Sequence, residues 1–226
     1  MNQRDLSSLP ESLRSEVARD HQPVRPLPAV WRGTVLLSGA ASGLFALWVT
    51  LFSLRPDLGE LPLWLTWGCA IVQLALATML AALALREGIP GRATPMAAVA
   101  IAILSALAVQ MAVGVATWLH STGASSGAAT LGHDLRCMRA DLQLALPIFL
   151  LAMVMVFRAL PLRAPVAGAL AGAAAALASD AIAHLRCGVS DLRHVLVWHT
   201  GAIVLMIALG WFVGWLWSRR RWPPSR

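Results

Sequence analysis

Six runs of apolar residues, each near or above the ~18–20 residues that cross a bilayer, divide this chain and leave little length for anything else. They read as spans at 35–54, 61–85, 96–119, 142–160, 165–185 and 195–217. The strictly apolar part of the fourth stops at Phe157 and carries Pro147, while the fifth is largely alanine and glycine with Asp180 inside it. Only 13% of the residues are charged, against about a quarter in a soluble domain, so a soluble fold is excluded. The expectation is an all-α integral membrane protein: a six-transmembrane-helix bundle at 34–217, with a short cytoplasmic N-terminal tail at 1–33 and a basic cytoplasmic C-terminus at 218–226. The polar stretch of about thirty residues ahead of the first span does not read as a cleavable signal, which would begin close to the N-terminus.

A net charge of +7 could point to nucleic acid, but its distribution points to topology instead. All 18 basic residues are arginine. With both termini cytoplasmic, 13 of them lie inside and only Arg55, Arg136, Arg139, Arg186 and Arg193 lie outside, as the positive-inside rule requires. The chain therefore reads as multi-pass with both ends in the cytoplasm, in contact with membrane lipid and with no direct nucleic-acid partner. Gly39–Gly43, Gly168–Gly172 and Gly210–Gly214 each have the spacing that lets a second helix backbone approach closely in lipid. Packing within the bundle is the expected use of all three, and the oligomeric state is left open. Gln73 and Gln110 sit mid-span and read as hydrogen-bonding partners across helices.

In the tail, "SSLPESLRSEVARD" (7–20) reads as a short helix. Ser8 and Glu11 form a capping-box pattern around Pro10, and Leu9, Leu13 and Val17 repeat at i, i+4 and i+8 as one apolar stripe. A helix of about twelve residues is marginal alone in water, so exposed leucines here suggest a segment that orders in a partner's groove. The following "HQPVRPLPAVW" (21–31) holds Pro23, Pro26 and Pro28, which keep the chain extended. Attraction to anionic lipid is the weaker alternative, because the tail's arginines and acids nearly balance.

Two polar breaks repeat a triplet: "GHDLRC" (132–137) and "IAHLRC" (182–187). Under the arginine topology both face outward, and so do five of the six histidines. Three readings of Cys137 and Cys187 stay open. They are a disulfide suited to an oxidising compartment, a metal site with His133 and His184 at i, i+4 and i, i+3 from the two cysteines, or a redox-responsive thiol pair beside Arg136 and Arg186. Cys69, within the second span, reads as packing like a small hydrophobe.

These features together resemble the NrsF family of bacterial membrane anti-sigma factors, the negative regulators of sigma-F. The resemblance rests on "DHQPVRPL" (20–27), on Cys137 followed by Leu146 and Pro147, on Arg158 with "PLRAPVAGALAG" (161–172), and on "HLRCGVSDLRHVLVWHTG" (184–201). It implies a bacterial inner-membrane protein whose tail holds an extracytoplasmic-function sigma factor. Asp20, Pro23 and Val24 then join Leu9, Leu13 and Val17 as partner-binding residues. It also implies that Cys137 and Cys187 sense oxidant or heavy metal. Light-responsive membrane anti-sigma factors share the six-span plan, which keeps a singlet-oxygen cue open. No cofactor is required on this reading, beyond a metal ion held transiently at His133, Cys137, His184 and Cys187. No enzyme is favoured, since no H-E-x-x-H, G-x-S-x-G or phosphate-binding loop occurs. The competing reading from another class is a small membrane metal transporter or haem-binding membrane protein using His120, His184 and His199.

Overall fold

The structure is a computed structural model that describes residues 10–20, 29–121 and 130–221. A short helix α1, Glu11–Asp20, precedes six helices long and apolar enough to cross a membrane. These are α2 (Val30–Leu51), α3 (Trp64–Glu87), α4 (Met96–His120), α5 (Leu131–Arg158), α6 (Ala164–His184) and α7 (Leu192–Arg221). The described residues contain no strand.

The alanine-rich helix sits at the centre. In the most apolar 18-residue stretch of α6, 89% of residues are buried, against 11% for α2, which lies at the edge. Lipid tails are as apolar as leucine, so helices in a membrane associate through close packing rather than by escaping water. The small side chains of α6 permit that approach on every side. The closest is to α7. A Cβ on Gly168 would run into the Gly210 carbonyl, one on Gly172 into the Met206 carbonyl, and one on Gly214 into the Ala164 carbonyl. Two of the three glycine pairs thus pack inside the bundle as expected. The Gly39–Gly43 pair does not, because a Cβ at either position meets open space.

The helices also run past the expected spans. α5 starts at Leu131, eleven residues before the apolar run, and continues through Pro147 to Arg158. Its polar first turns are held by Thr130, whose hydroxyl accepts the His133 N–H at 3.4 Å. The last helix begins at Leu192, where Asp191 accepts the His194 N–H at 3.2 Å. Both α3 and α7 contain a π-helical turn, at Trp64–Gly68 and Val195–His199.

Six crossings place the start of α2 and the end of α7 on one side, together with the α3–α4 and α5–α6 turns. A clasp between a half-exposed arginine and a buried glutamate closes that end. Arg163 donates from Nε and Nη2 to Glu87 Oε2 at 2.9 and 2.6 Å, and from Nη2 to the Thr94 carbonyl at 2.6 Å. The other Glu87 oxygen accepts the Thr94 N–H. On the arginine count, this side is the one expected to face the cytoplasm. Alkaline phosphatase fused after Arg221 is expected to be inactive and fused at Ser125 active; an active C-terminal fusion would invert the whole topology.

Candidate functional site

At the end opposite the clasp, two cysteines fifty residues apart in sequence meet. Cys137 lies on the second turn of α5. Cys187 lies in the connection after α6, where its N–H donates to the Ala183 carbonyl at 2.7 Å. Their Sγ atoms are 3.6 Å apart, and both are free thiols. The connection carrying Cys187 is pinned by Arg55, which donates from its N–H to the Leu185 carbonyl at 3.0 Å and from Nη2 to Ser190 Oγ at 2.7 Å. The Arg55 guanidinium also pairs with Asp57 at 2.6 Å.

Histidines from α7 complete the cluster. His194 is 1% exposed; its Nε2 lies 3.3 Å from Cys187 Sγ, and its Nδ1 lies 2.5 Å from Asp134 Oδ1. His199 is buried too, with Nδ1 2.9 Å from Asp141 Oδ2 and 3.1 Å from Asp180 Oδ1, and a ring nitrogen within 4.8 Å of the Cys187 sulfur. The two histidines are five residues apart. On an α-helix of 3.6 residues per turn they would point about 140° away from each other. The π turn widens the helix so that residues five apart come into line, and their ring centroids lie 5.2 Å apart.

Below the thiols the polar contacts continue inward. Gln73 Nε2 donates to Asp180 Oδ2 at 2.6 Å and to Gln110 Oε1 at 2.8 Å, so the two mid-span glutamines do bond across helices. Ser179 Oγ donates to the Asp141 carbonyl at 2.7 Å. Beside the thiols a cavity of about 340 Å³ is lined by His133, Arg136, Cys137, Asp141, Cys187 and His199, among others, which gives a small reagent access to both sulfurs. Of the two thiols, Cys187 is drawn below the ordinary thiol value. The facing Cys137 thiol does this, then His194 and His199, against the opposing pull of burial.

The expected residues divide. Cys137 and Cys187 come together, and His133 Nδ1 lies 3.7 Å from Cys137 Sγ. His184 turns away, its Nε2 2.8 Å from the Leu65 carbonyl. Its i, i+3 spacing to Cys187 does not place both on one helix face, because α6 ends at His184. Arg186 does not serve a thiolate either; its guanidinium lies over Phe52, 4.9 Å from the ring centroid. Of the three histidines of the competing reading, His184 and His199 line one small pocket together with Asp180 and Cys187, while His120 Nδ1 lies 2.8 Å from the Ala116 carbonyl.

In the tail, Leu13 is exposed on α1 at 46%. Leu9, Pro23 and Val24 lie outside the described residues, as does Ser8 of the capping pattern, and so do the side chains of Val17 and Asp20. No curated protein and no solved structure matches the chain. One family does, described as NrsF, negative regulator of sigma F, and it matches residues 17–222.

Proposed function

The chain belongs to the NrsF family, the negative regulators of sigma F, and on that premise we propose that it is a membrane-bound anti-sigma factor for an extracytoplasmic-function sigma factor. It sits in the bacterial inner membrane with both termini cytoplasmic. Its N-terminal tail sequesters the sigma factor through the apolar stripe of Leu9, Leu13 and Val17, followed by Asp20, Pro23 and Val24. Oxidant or heavy metal reaching Cys137 and Cys187 from the periplasmic side ends the sequestration.

The observation that supports this reading is the meeting of Cys137 and Cys187 at 3.6 Å, beside a cavity, at the opposite end from the clasp. The distribution of arginines supports reading that end as the outer one. A structural pair needs no access; a sensor does.

Full-length protein carrying Leu13→Asp tests the tail. A charge in an apolar groove costs several kcal/mol, and ~1.4 kcal/mol is a tenfold change in affinity. Retention of the sigma factor should weaken by roughly a hundredfold or more, and target transcription should run constitutively. A Leu13→Asp protein that accumulates normally and still silences its target would refute the assignment of the tail.

A further inference from the structure

We propose that Cys137, Cys187, His194 and His199 form a tetrahedral binding site for a divalent cation of the zinc class. The proposal deepens the sensing reading above by naming the ligands and the kind of ion they take.

The donor geometry carries it. A tetrahedron with Zn–S of about 2.3 Å and Zn–N of about 2.0–2.1 Å has S···S edges of about 3.8 Å and S···N edges of about 3.6 Å. The two sulfurs are 3.6 Å apart, and the Cys187 sulfur lies 3.3 Å from His194 Nε2. One donor atom from each of the four residues falls within 4.8 Å of every other. The set spans three elements: α5, the α6–α7 connection and α7. An ion at its centre would tie all three together.

The surroundings fit the same chemistry. A histidine that binds a metal through one ring nitrogen commonly gives its other N–H to a carboxylate, which fixes the tautomer and raises its basicity. Both histidines are arranged this way. His194 commits Nδ1 to Asp134 and turns Nε2 to the thiol, and His199 commits Nδ1 to Asp141 and Asp180, leaving Nε2 as its donor. Binding displaces the two thiol protons, so two thiolates neutralise the dication and no net charge is added to a half-buried site. Two sulfur and two nitrogen donors suit zinc and its tetrahedral relatives cobalt(II) and cadmium, whereas magnesium and calcium prefer oxygen. This set differs from the one that spacing suggested, with His194 and His199 in place of His133 and His184.

The test uses chelator-treated full-length protein in detergent, titrated with cobalt(II) and then with zinc. One equivalent of cobalt should give the visible bands of a tetrahedral ion together with thiolate-to-cobalt charge transfer, and one equivalent of zinc should bleach both. Cys137→Ser, His194→Ala and His199→Ala should each weaken zinc binding at least a hundredfold, and Asp134→Asn about 10–100-fold. His120→Ala and His184→Ala should bind as the parent does. Because His199→Ala strips a partner from two buried carboxylates, His194→Cys is the companion variant: its third thiolate should keep the ion and strengthen the charge-transfer band. Absence of that band in folded parent protein overturns the site, and so does undiminished affinity in His194→Ala. Failure of sensing reads differently. Protein that binds cobalt as described, in cells where metal evokes no transcription, would keep the site and reject its role as a sensor.

Discussion

Replacing Gly210 with leucine is expected to empty the membrane of folded protein. A Cβ at that position collides with the Gly168 carbonyl oxygen and its carbon on the facing helix. These are backbone atoms, so no rotamer change relieves the clash. Relief requires α6 and α7 to separate along their length, which breaks the contacts of the most buried helix in the bundle. Overpacking among side chains alone costs about 1–3 kcal/mol, and a backbone collision lies above that range. Accumulation in membranes, followed by size-exclusion chromatography, should show at least a tenfold fall in monodisperse protein. Gly39→Leu is the control. Its Cβ meets open space, and yield should stay near that of the parent. Normal yield of Gly210→Leu would mean that the two helices do not cross as described.

Cys137→Ser and Cys187→Ser should each reduce induction by oxidant or thiophilic metal to about onefold while leaving repression intact. A pair that acts as a unit loses its function with either member, so the double variant should add nothing. Repression survives because α6, 21 residues long and thus about 30 Å at 1.5 Å per residue, separates the thiols from the clasp end. A reporter fused to the sigma factor's target measures both quantities in one strain. If both single variants respond like the parent to every inducer, the thiols are structural or idle.

The spans were legible because lipid imposes long apolar runs, and nothing else in this composition does. Their limits were less so. The first turns of α5 hold His133, Asp134, Arg136 and Arg139, which break the apolar run without breaking the helix that Thr130 caps. Cys137 and Cys187 could be found from their repeated triplet. His194 and His199 stood in view but could not be joined to them, because five-residue spacing matches no face of an α-helix and the π turn leaves no mark in composition. His184 misled for the converse reason. Its spacing to Cys187 suits a continuous helix, but the helix stops between them. A search for histidines five apart beside a predicted helix start would have raised His194 and His199.

The interlock of α6 and α7 restricts how this protein can move at all. Gly168 sits against Gly210, Gly172 against Met206, and Ala164 against Gly214, each small residue seated on a facing carbonyl like a tooth in a rack. A rack slides by whole teeth. The next register along a helix is one turn away, about 5.4 Å, and any smaller displacement at the thiol end must carry both helices as one body. Such a body would move past α3 and the Thr94 segment, and Arg163, one residue ahead of α6, is the grip that holds it to them through Glu87.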